Sequence, residues 1–534
     1  MTGAGTVEYA TGMLVLALNA GHDGAFAAIE DGKLLFCQEA EKDSFPRHSV
    51  MTATSVLNAV EHLGEMPDLI AHVGGWIPRH GRLGAGYHGA PRVEQREMNF
   101  LGRQVTLVSS THERSHIQSS IALSARDAAP LRAALVWEGA IGKLFVLDND
   151  GNVTQRVDVQ DAPGTRWALM FALADPTFPD EGGLPRDSDA GKLMALAAYG
   201  DSAQADSAVT AIVDRVLTMK DVWPAAKSAF RDTPIYNAGP ESDVTKSAAA
   251  LLSTRMFEIF AHAALEHLPP GLPLHISGGC GLNCDWNRMW RDLGHFSSVF
   301  VPPCPNDAGL AIGAAADALQ LTTGDLYIDW DVYAGLEFEW DMRPLRSEWR
   351  RNRADDSALA DALAEGRIFA WVQGRAELGP RALGNRSLLA DPSDARTRDR
   401  LNEIKQREGY RPIAPCCRVE DLGKVFDTGF EDPYMLYFRT VTTDKLGAVT
   451  HVDGTARCQT VSATTNRRLH DLLCAVADRS GVGVLCNTSL NWKGHGFINQ
   501  MSDLVRYCLD RGVDDIVVDD FWFQRIDTAT AATP

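Results

Sequence analysis

The chain has 534 residues, with 51 Lys plus Arg against 70 Asp plus Glu, 45% apolar residues and a formal charge of −19. That apolar fraction excludes disorder and fibrous repeats, and the length asks for two or more domains. The acidic balance speaks against nucleic-acid or anionic-membrane partners, and no apolar run reaches the ~20 residues a membrane span needs.

In chain order, an apolar run from Met13 to Leu18 ends in Asn19-Ala20-Gly21-His22-Asp23-Gly24, and further runs follow at 25–29 and 34–37. This reads as strand, tight turn, strand, turn, strand. The pattern returns at 133–137, Glu138-Gly139-Ala140-Ile141-Gly142 and 143–147. Two such hairpins read either as a duplicated α/β half enclosing a cleft or as two unrelated hairpins. A long helix is expected over about 244–267; its stretch 247–268 is the nearest approach to a membrane span, but Arg255 and Glu258 mark it as a packed helix. Strands over 274–276 and 298–301 precede Ser277-Gly278-Gly279-Cys280-Gly281-Leu282-Asn283 and Asn306-Asp307-Ala308-Gly309, and a small-residue helix fills 310–319. Residues 322–356 read as the connection between domains. A new α/β unit then starts with a helix to Glu365 and a strand over 368–372, and its last strand candidates are 482–486 and 515–518. Residues 76–100 read as a mobile loop beside the first cleft, and 527–534 as a frayed tail.

Four groups of residues could carry chemistry. His112 and His116 are four apart, so on a helix they share one face. Alone they are either two packed histidines or half of a metal site; with the turn carboxylates Glu138 and Asp307 they would suit Fe(II), Mn(II) or Zn(II). Lys192 follows Gly191 in a segment that fails the phosphate-loop pattern, because Leu193 stands where Ser or Thr would hold magnesium. It is either a phosphate ligand or a solvated lysine. Gly278 and Gly279, after a strand, either let a nucleotide approach the backbone or make a structural turn.

The charge anomaly is sharper. Between Arg375 and Arg411 there are nine Lys/Arg and six Asp/Glu, inside a chain of −19. Gly379-Pro380 frames Arg381 rigidly, Lys405, Arg407 and Arg411 follow, and Arg457 and the 487–491 stretch (Asn487, Ser489) add donors at strand ends. Forked guanidiniums and a lysine together read as an anion pocket.

In this order the chain resembles the O-carbamoyltransferases of hydroxymethylcephems, nodulation factors and aminoglycosides. The shared motifs are Asn-x-Gly-His-Asp from Asn19, His-x3-His from His112, Gly-Lys-x-Met-x-Leu-x-x-Tyr-Gly from Gly191 and Gly-Gly-x-x-Leu-Asn ending at Asn283. They continue with Asp307-x-Gly309, the fourteen residues from Gly374 to Ser387, Lys-x-Arg-Glu-x-x-Arg-Pro from Lys405 and Asn-Thr-Ser-x-Asn from Asn487. The resemblance implies an N-terminal duplicated actin/Hsp70-like (Kae1-like) domain over 13–340, holding the metal and acceptor site. A YrdC-like α/β domain over 355–526 would form carbamoyl-adenylate from ATP and carbamoyl phosphate. It assigns the adenylate to Arg381, Lys405, Arg411, Arg457 and Ser489, with Lys192, Gly278, Gly279, Asn283 and Asn487 near the nucleotide. The metal, Fe(II) foremost, goes to His112, His116 and Asp307, Mg accompanies ATP, and His22 becomes the general base. Relatives often carry Asp in the turn of Glu138, which leaves direct ligation by the longer side chain open.

The implied partner is a small-molecule hydroxyl acceptor such as a macrolide, sugar or aminoglycoside. Alternatives with the same fold are a tRNA threonylcarbamoyl-transfer enzyme, which the acidity disfavours, and a non-catalytic nucleotide sensor. No basic stretch followed by an apolar core opens the chain, and its ten cysteines form no Cys-x-x-Cys pair. A cytoplasmic setting is therefore expected. Monomer and homodimer are both compatible with the sequence.

Overall fold

The computed structural model describes residues 12–77, 81–220, 222, 226–344 and 348–526. The expected tail at 527–534 and the first eleven residues lie outside them. Three large sheets organise the chain.

The first sheet is built on the early hairpins. Leu14–Asn19, Ala25–Glu30 and Lys33–Glu39 pair antiparallel in succession, and Leu14–Asn19 pairs parallel with Leu69–Val73 on its other side. Arg103–Ser110 and Val93–Phe100 complete it. The second sheet repeats the plan. Leu131–Trp137, Gly142–Asp148 and Val153–Asp158 are antiparallel, and Pro273–Ser277 and Ser298–Phe300 add parallel strands. Strand order and direction thus match for five strands of each sheet, so the duplicated reading of the hairpins holds. Central strands such as Leu14–Asn19 and Leu131–Trp137 are apolar on both faces because helices cover them.

Between the two sheets run the helices His112–Ala122 and Leu310–Thr323. The first is buried along its whole length despite its polar sequence. Their backbones nearly touch: a Cβ on Gly313 would stand 1.9 Å from the Ser115 carbonyl oxygen. Such an approach admits only glycine. Buried Arg114 pairs with buried Asp317 at 2.7 Å across this crossing.

The third sheet has eight strands, running from Trp349–Arg353 at one edge to Gln459–Val461 at the other. Phe369–Val372, Arg386–Ala390, Val484–Ser489 and Ala414–Arg418 form its centre. The expected helix and strand after residue 357 appear as Asp356–Ala364 and Phe369–Val372. The connection over 322–356 lies along both parts of the molecule, bridging through Asp329 to Lys33 and through Glu337 to Arg375.

The expectation of a mobile loop over 76–100 is corrected. Gly75–Ile77 pairs with Gly81–Leu83, and Val93–Phe100 is an edge strand hydrogen-bonded along its full length to Arg103–Ser110. The signal was hidden because one face of an edge strand is solvated, so polar residues fill it. Among the described residues no helix is long and apolar enough to cross a membrane.

Candidate active site

The turn after Leu14–Asn19 and the turn after Leu131–Trp137 face the start of helix His112–Ala122, so His22, Glu138, His112 and His116 come to one place. Thr111 caps that helix through the Arg114 N–H, which fixes where the histidines begin. His116 Nε2 lies 3.3 Å and His112 Nε2 3.7 Å from Asp307 Oδ1. One ligand atom from each of His112, His116, Glu138 and Asp307 lies within 4.8 Å of the others.

This donor set fits a divalent metal. His112 Nε2 and both ring nitrogens of His116 are buried without a hydrogen-bond partner, and burial lowers both imidazoles to about 4, so they are neutral donors at neutral pH. Burial raises both Glu138 and Asp307, helped at Glu138 by the charge of Asp307 and at Asp307 by those of Asp23 and Asp187, a strain that a cation relieves. Tyr87, unnoticed in the sequence, stacks on His112 at 4.1 Å and donates to Glu138 Oε1 at 2.9 Å. It orients one candidate ligand from each half of the site.

Gly278 shows the close packing of the structural-turn alternative. With φ at +97°, a Cβ there would stand 2.3 Å from the Trp137 carbonyl oxygen and 2.8 Å from the Glu138 Cβ. The glycine lets the Glu138 turn pack against its neighbour, and this contact accounts for it without a nucleotide. Gly279 meets nothing within 4 Å. Asn283 uses its side-chain oxygen to cap helix Cys284–Asp292. Lys192 bonds Asp189 at 2.8 Å and lies 3.7 Å from Glu408 of the third-sheet domain. It bridges domains and already has carboxylate partners.

His22 sits 3.3 Å from Asp187 and 3.7 Å from Asp23, stacked on His48 at 4.8 Å. The Asp187 hydrogen bond raises it to about 9 despite partial burial. In this arrangement it is a cation near pH 7; the expected base form requires Asp187 to move away. Asp187 is 63% exposed, so little holds it there.

The cation pocket lies where the third-sheet domain meets the first lobe. Segment 41–48 reaches across: Arg47 N–H donates to the Gly494 carbonyl at 2.9 Å, and Pro46 bridges to His495. Arg47, paired with Glu41 at 3.1 Å, thereby joins Arg381, Lys405, Arg407, Arg411 and Arg457. Burial lowers Arg381 and Arg407 to about 9, with Arg457 and Arg411 adding repulsion. Lys405 falls well below its usual range through burial, then through Arg407, Arg411 and Arg47. Its ammonium donates to the carbonyls of Ser489 (2.5 Å) and Asn491 (3.0 Å). The Ser489 hydroxyl donates to Asn491 Oδ1 at 2.6 Å. Arg381 Nε and Arg457 Nε are buried without partners. Asn487 donates to the Ala382 carbonyl and to Gln459, its own oxygen left free.

Of the three arginines in the Gly374–Ser387 motif, only Arg381 serves this pocket. Arg375 donates to carbonyls of Leu35, Ala334 and Gly335 and ties the domains together. Arg386 is fully buried on the carbonyls of Gln373, Gly374 and Asn385. Arg47 was missed by sequence reasoning; the rigid Phe45-Pro46-Arg47 step was the signal for it.

Residues 236–316 match the family described as Carbamoyltransferase N-terminus, and residues 360–525 match Carbamoyltransferase C-terminus. The chain is 57% identical to a 3'-hydroxymethylcephem-O-carbamoyltransferase of Amycolatopsis lactamdurans, over 96% of this chain and 99% of that protein. The chain belongs to the carbamoyltransferase family. A Streptomyces clavuligerus protein of the same description is 55% identical over 96% of this chain and 99% of its own length. A nodulation protein U of Sinorhizobium fredii is 32% identical over 91% of this chain and 95% of its own. The chain is thus an α/β carbamoyltransferase whose duplicated N-terminal part is followed by a C-terminal carbamoyltransferase domain.

Proposed function

We propose that this carbamoyltransferase works at two sites and modifies the hydroxymethyl group of a cephem, as the names of its relatives say of them. In this reading the N-terminal part is Kae1-like, an actin/Hsp70-like duplication that the matching strand order of its two sheets supports, and the C-terminal domain is YrdC-like. The C-terminal pocket takes ATP and carbamate, the latter from hydrolysis of carbamoyl phosphate. Carbamate oxygen attacks the α-phosphorus, pyrophosphate leaves, and carbamoyl-adenylate forms. The acceptor hydroxyl then attacks the carbamoyl carbon in the first-lobe cleft and AMP departs.

The observation that carries the reading is the crowding of Arg381, Lys405, Arg407 and Arg411, four cations against the single nearby carboxylate of Glu408. Such an excess of cations is costly unless an anion arrives, and a polyphosphate supplies more negative charge than the one carboxylate of Glu408. Fixed in place before binding, they stabilise charge on the departing pyrophosphate without reorganising. In the cleft, His22 in its neutral form accepts the hydroxyl proton as the carbon–oxygen bond forms. His112, His116, Glu138 and Asp307 would hold a divalent metal, Fe(II) foremost, which when bound supplies positive charge beside the phosphate of the leaving AMP. Mg would accompany ATP.

The test separates the half-reactions. Arg411→Ala is expected to lose carbamoyl-dependent exchange of labelled pyrophosphate into ATP at least ~100-fold, the scale of one preorganised donor. His22→Ala is expected to keep exchange and lose transfer to a hydroxymethylcephem. Both variants failing at the same step would remove the two-site scheme.

A further inference from the structure

The outer face of the first sheet, turned away from helix Leu310–Thr323, carries a cavity that the two-site scheme leaves without a role. It encloses about 230 Å³. Leu18, Ile70 and Leu107 form its floor from three adjacent strands, and Met98 and Phe100 form a side wall. Leu83 and Gly84 close it, and the closure is tight: a Cβ on Gly84 would stand 2.1 Å from Ser109 Oγ and 3.3 Å from His72 Nδ1.

The rim carries one carboxylate, Glu94, and one guanidinium, Arg96. Glu94 is matched twice, by Arg82 at 3.3 Å and Arg92 at 2.5 Å. Arg96, two residues on and so on the same face of its strand, forms no ion pair among the described residues. Of the charged groups that line the cavity, Glu94 is thus already paired by arginines outside the lining, which leaves Arg96 as the lining charge without an ion pair among the described residues. His72 also lines the cavity, its imidazole held neutral by burial and by Arg96. An apolar floor with an unmatched guanidinium at its edge is complementary to a compact apolar body that bears one carboxylate.

The cavity also lies beside the transfer site. Leu18, His72 and Ser109 are neighbours across three strands at the ends from which the chain leaves for His22 and His112. Four residues separate Leu18 from His22, a reach of at most ~14 Å. The segment that closes the cavity runs on from Gly84 to Tyr87, whose ring stacks on His112. We infer that this cavity is the acceptor's anchoring subsite: it holds the apolar, carboxylate-bearing body of the acceptor, with the carboxylate on Arg96, while the hydroxyl extends toward His22. This deepens the function proposed above and rests on its assignment of the acceptor to the first lobe.

Direct binding is read with the apolar anion 8-anilinonaphthalene-1-sulfonate, and with uncharged N-phenyl-1-naphthylamine as its neutral counterpart, in the full chain without nucleotide. The anionic probe is expected to bind more tightly, to be displaced by a hydroxymethylcephem, and to weaken about tenfold in Arg96→Glu, the worth of one charge-assisted hydrogen bond. Leu107→Trp, which fills the floor, is expected to abolish it. The same exposed Arg96→Glu variant should raise the KM for a hydroxymethylcephem about tenfold while pyrophosphate exchange stays at the wild-type rate. Probe binding indifferent to Arg96→Glu, a cephem that does not compete, or an unchanged acceptor KM each overturns the inference. Absence of pyrophosphate exchange in the wild-type chain strikes at the adenylate scheme alone, since probe binding and its displacement are read without it.

Discussion

At the scale of single residues, His22 shows how far a side chain's chemistry depends on one neighbour. Its bond to Asp187, with the charges of Asp23 and Asp307 behind it, makes it a cation up to about pH 9. A base that must first lose its proton works better as pH rises through that value. Replacing Asp187 by Asn removes the largest cause of the shift and lowers the imidazole toward its ordinary ~6.5. The expected result is a transfer rate that climbs with pH up to about 9 in the wild type and levels off one to two pH units earlier in Asp187→Asn. Single-turnover profiles and imidazole NMR titration both read this. A profile that stays in place in the variant removes His22 from the proton's path. The residue itself was legible in the sequence, standing in a glycine-bounded turn after a strand; Asp187 was not, because it approaches from a helix 165 positions away.

Secondary-structure elements carry the positions that single residues then use. The meander strands, the long helix Asp243–His267 and the helix after Asp307 were readable from apolar runs ended by Gly, Asn or Asp. Helix His112–Ala122 was readable only as a pair of histidines, because its burial comes from neighbours and its sequence has no apolar stripe. What seats it is Gly313. In Gly313→Ala the new methyl meets the Ser115 carbonyl, one residue before His116, so the two helices must part. Overpacking of this kind costs ~1–3 kcal/mol or more. The expected outcome is a melting temperature lowered by several degrees, together with loss of bound divalent metal as measured by elemental analysis of the purified chain. Pyrophosphate exchange, which belongs to the other pocket, should persist at temperatures where the variant stays folded. A variant that retained both stability and metal would show that the crossing does not set the histidines.

At the scale of the whole molecule, the proposed two-site scheme requires that the two pockets work as one enzyme. In the proposed scheme the intermediate, carbamoyl-adenylate, is a mixed anhydride that water destroys, so that scheme asks for a short, enclosed route between sites. The two parts are clasped beside that route. Glu39 accepts from the Gly379 N–H at 2.7 Å, and Lys42 donates to the Gly379 carbonyl at 2.7 Å. A Cβ on Gly379 would meet the Pro303 carbonyl at 2.1 Å, and Arg381 reaches the Leu282 carbonyl at 3.0 Å. Sequence could show Gly379-Pro380-Arg381 as a rigidly framed arginine; it could not show that the frame is the joint between domains, because every partner lies at least 70 positions away. If the joint keeps the intermediate inside one chain, two crippled chains cannot share it. A mixture of Arg411→Ala, which cannot make the adenylate, and His22→Ala, which makes it but cannot use it, is then expected to transfer no more carbamoyl group than the two variants measured apart. Product assays at rising protein concentration check this. Restoration that grows with concentration would mean that the adenylate travels through solvent, and the clasp at Gly379 would then serve to hold Arg381 and Arg47 in one pocket rather than to enclose a path.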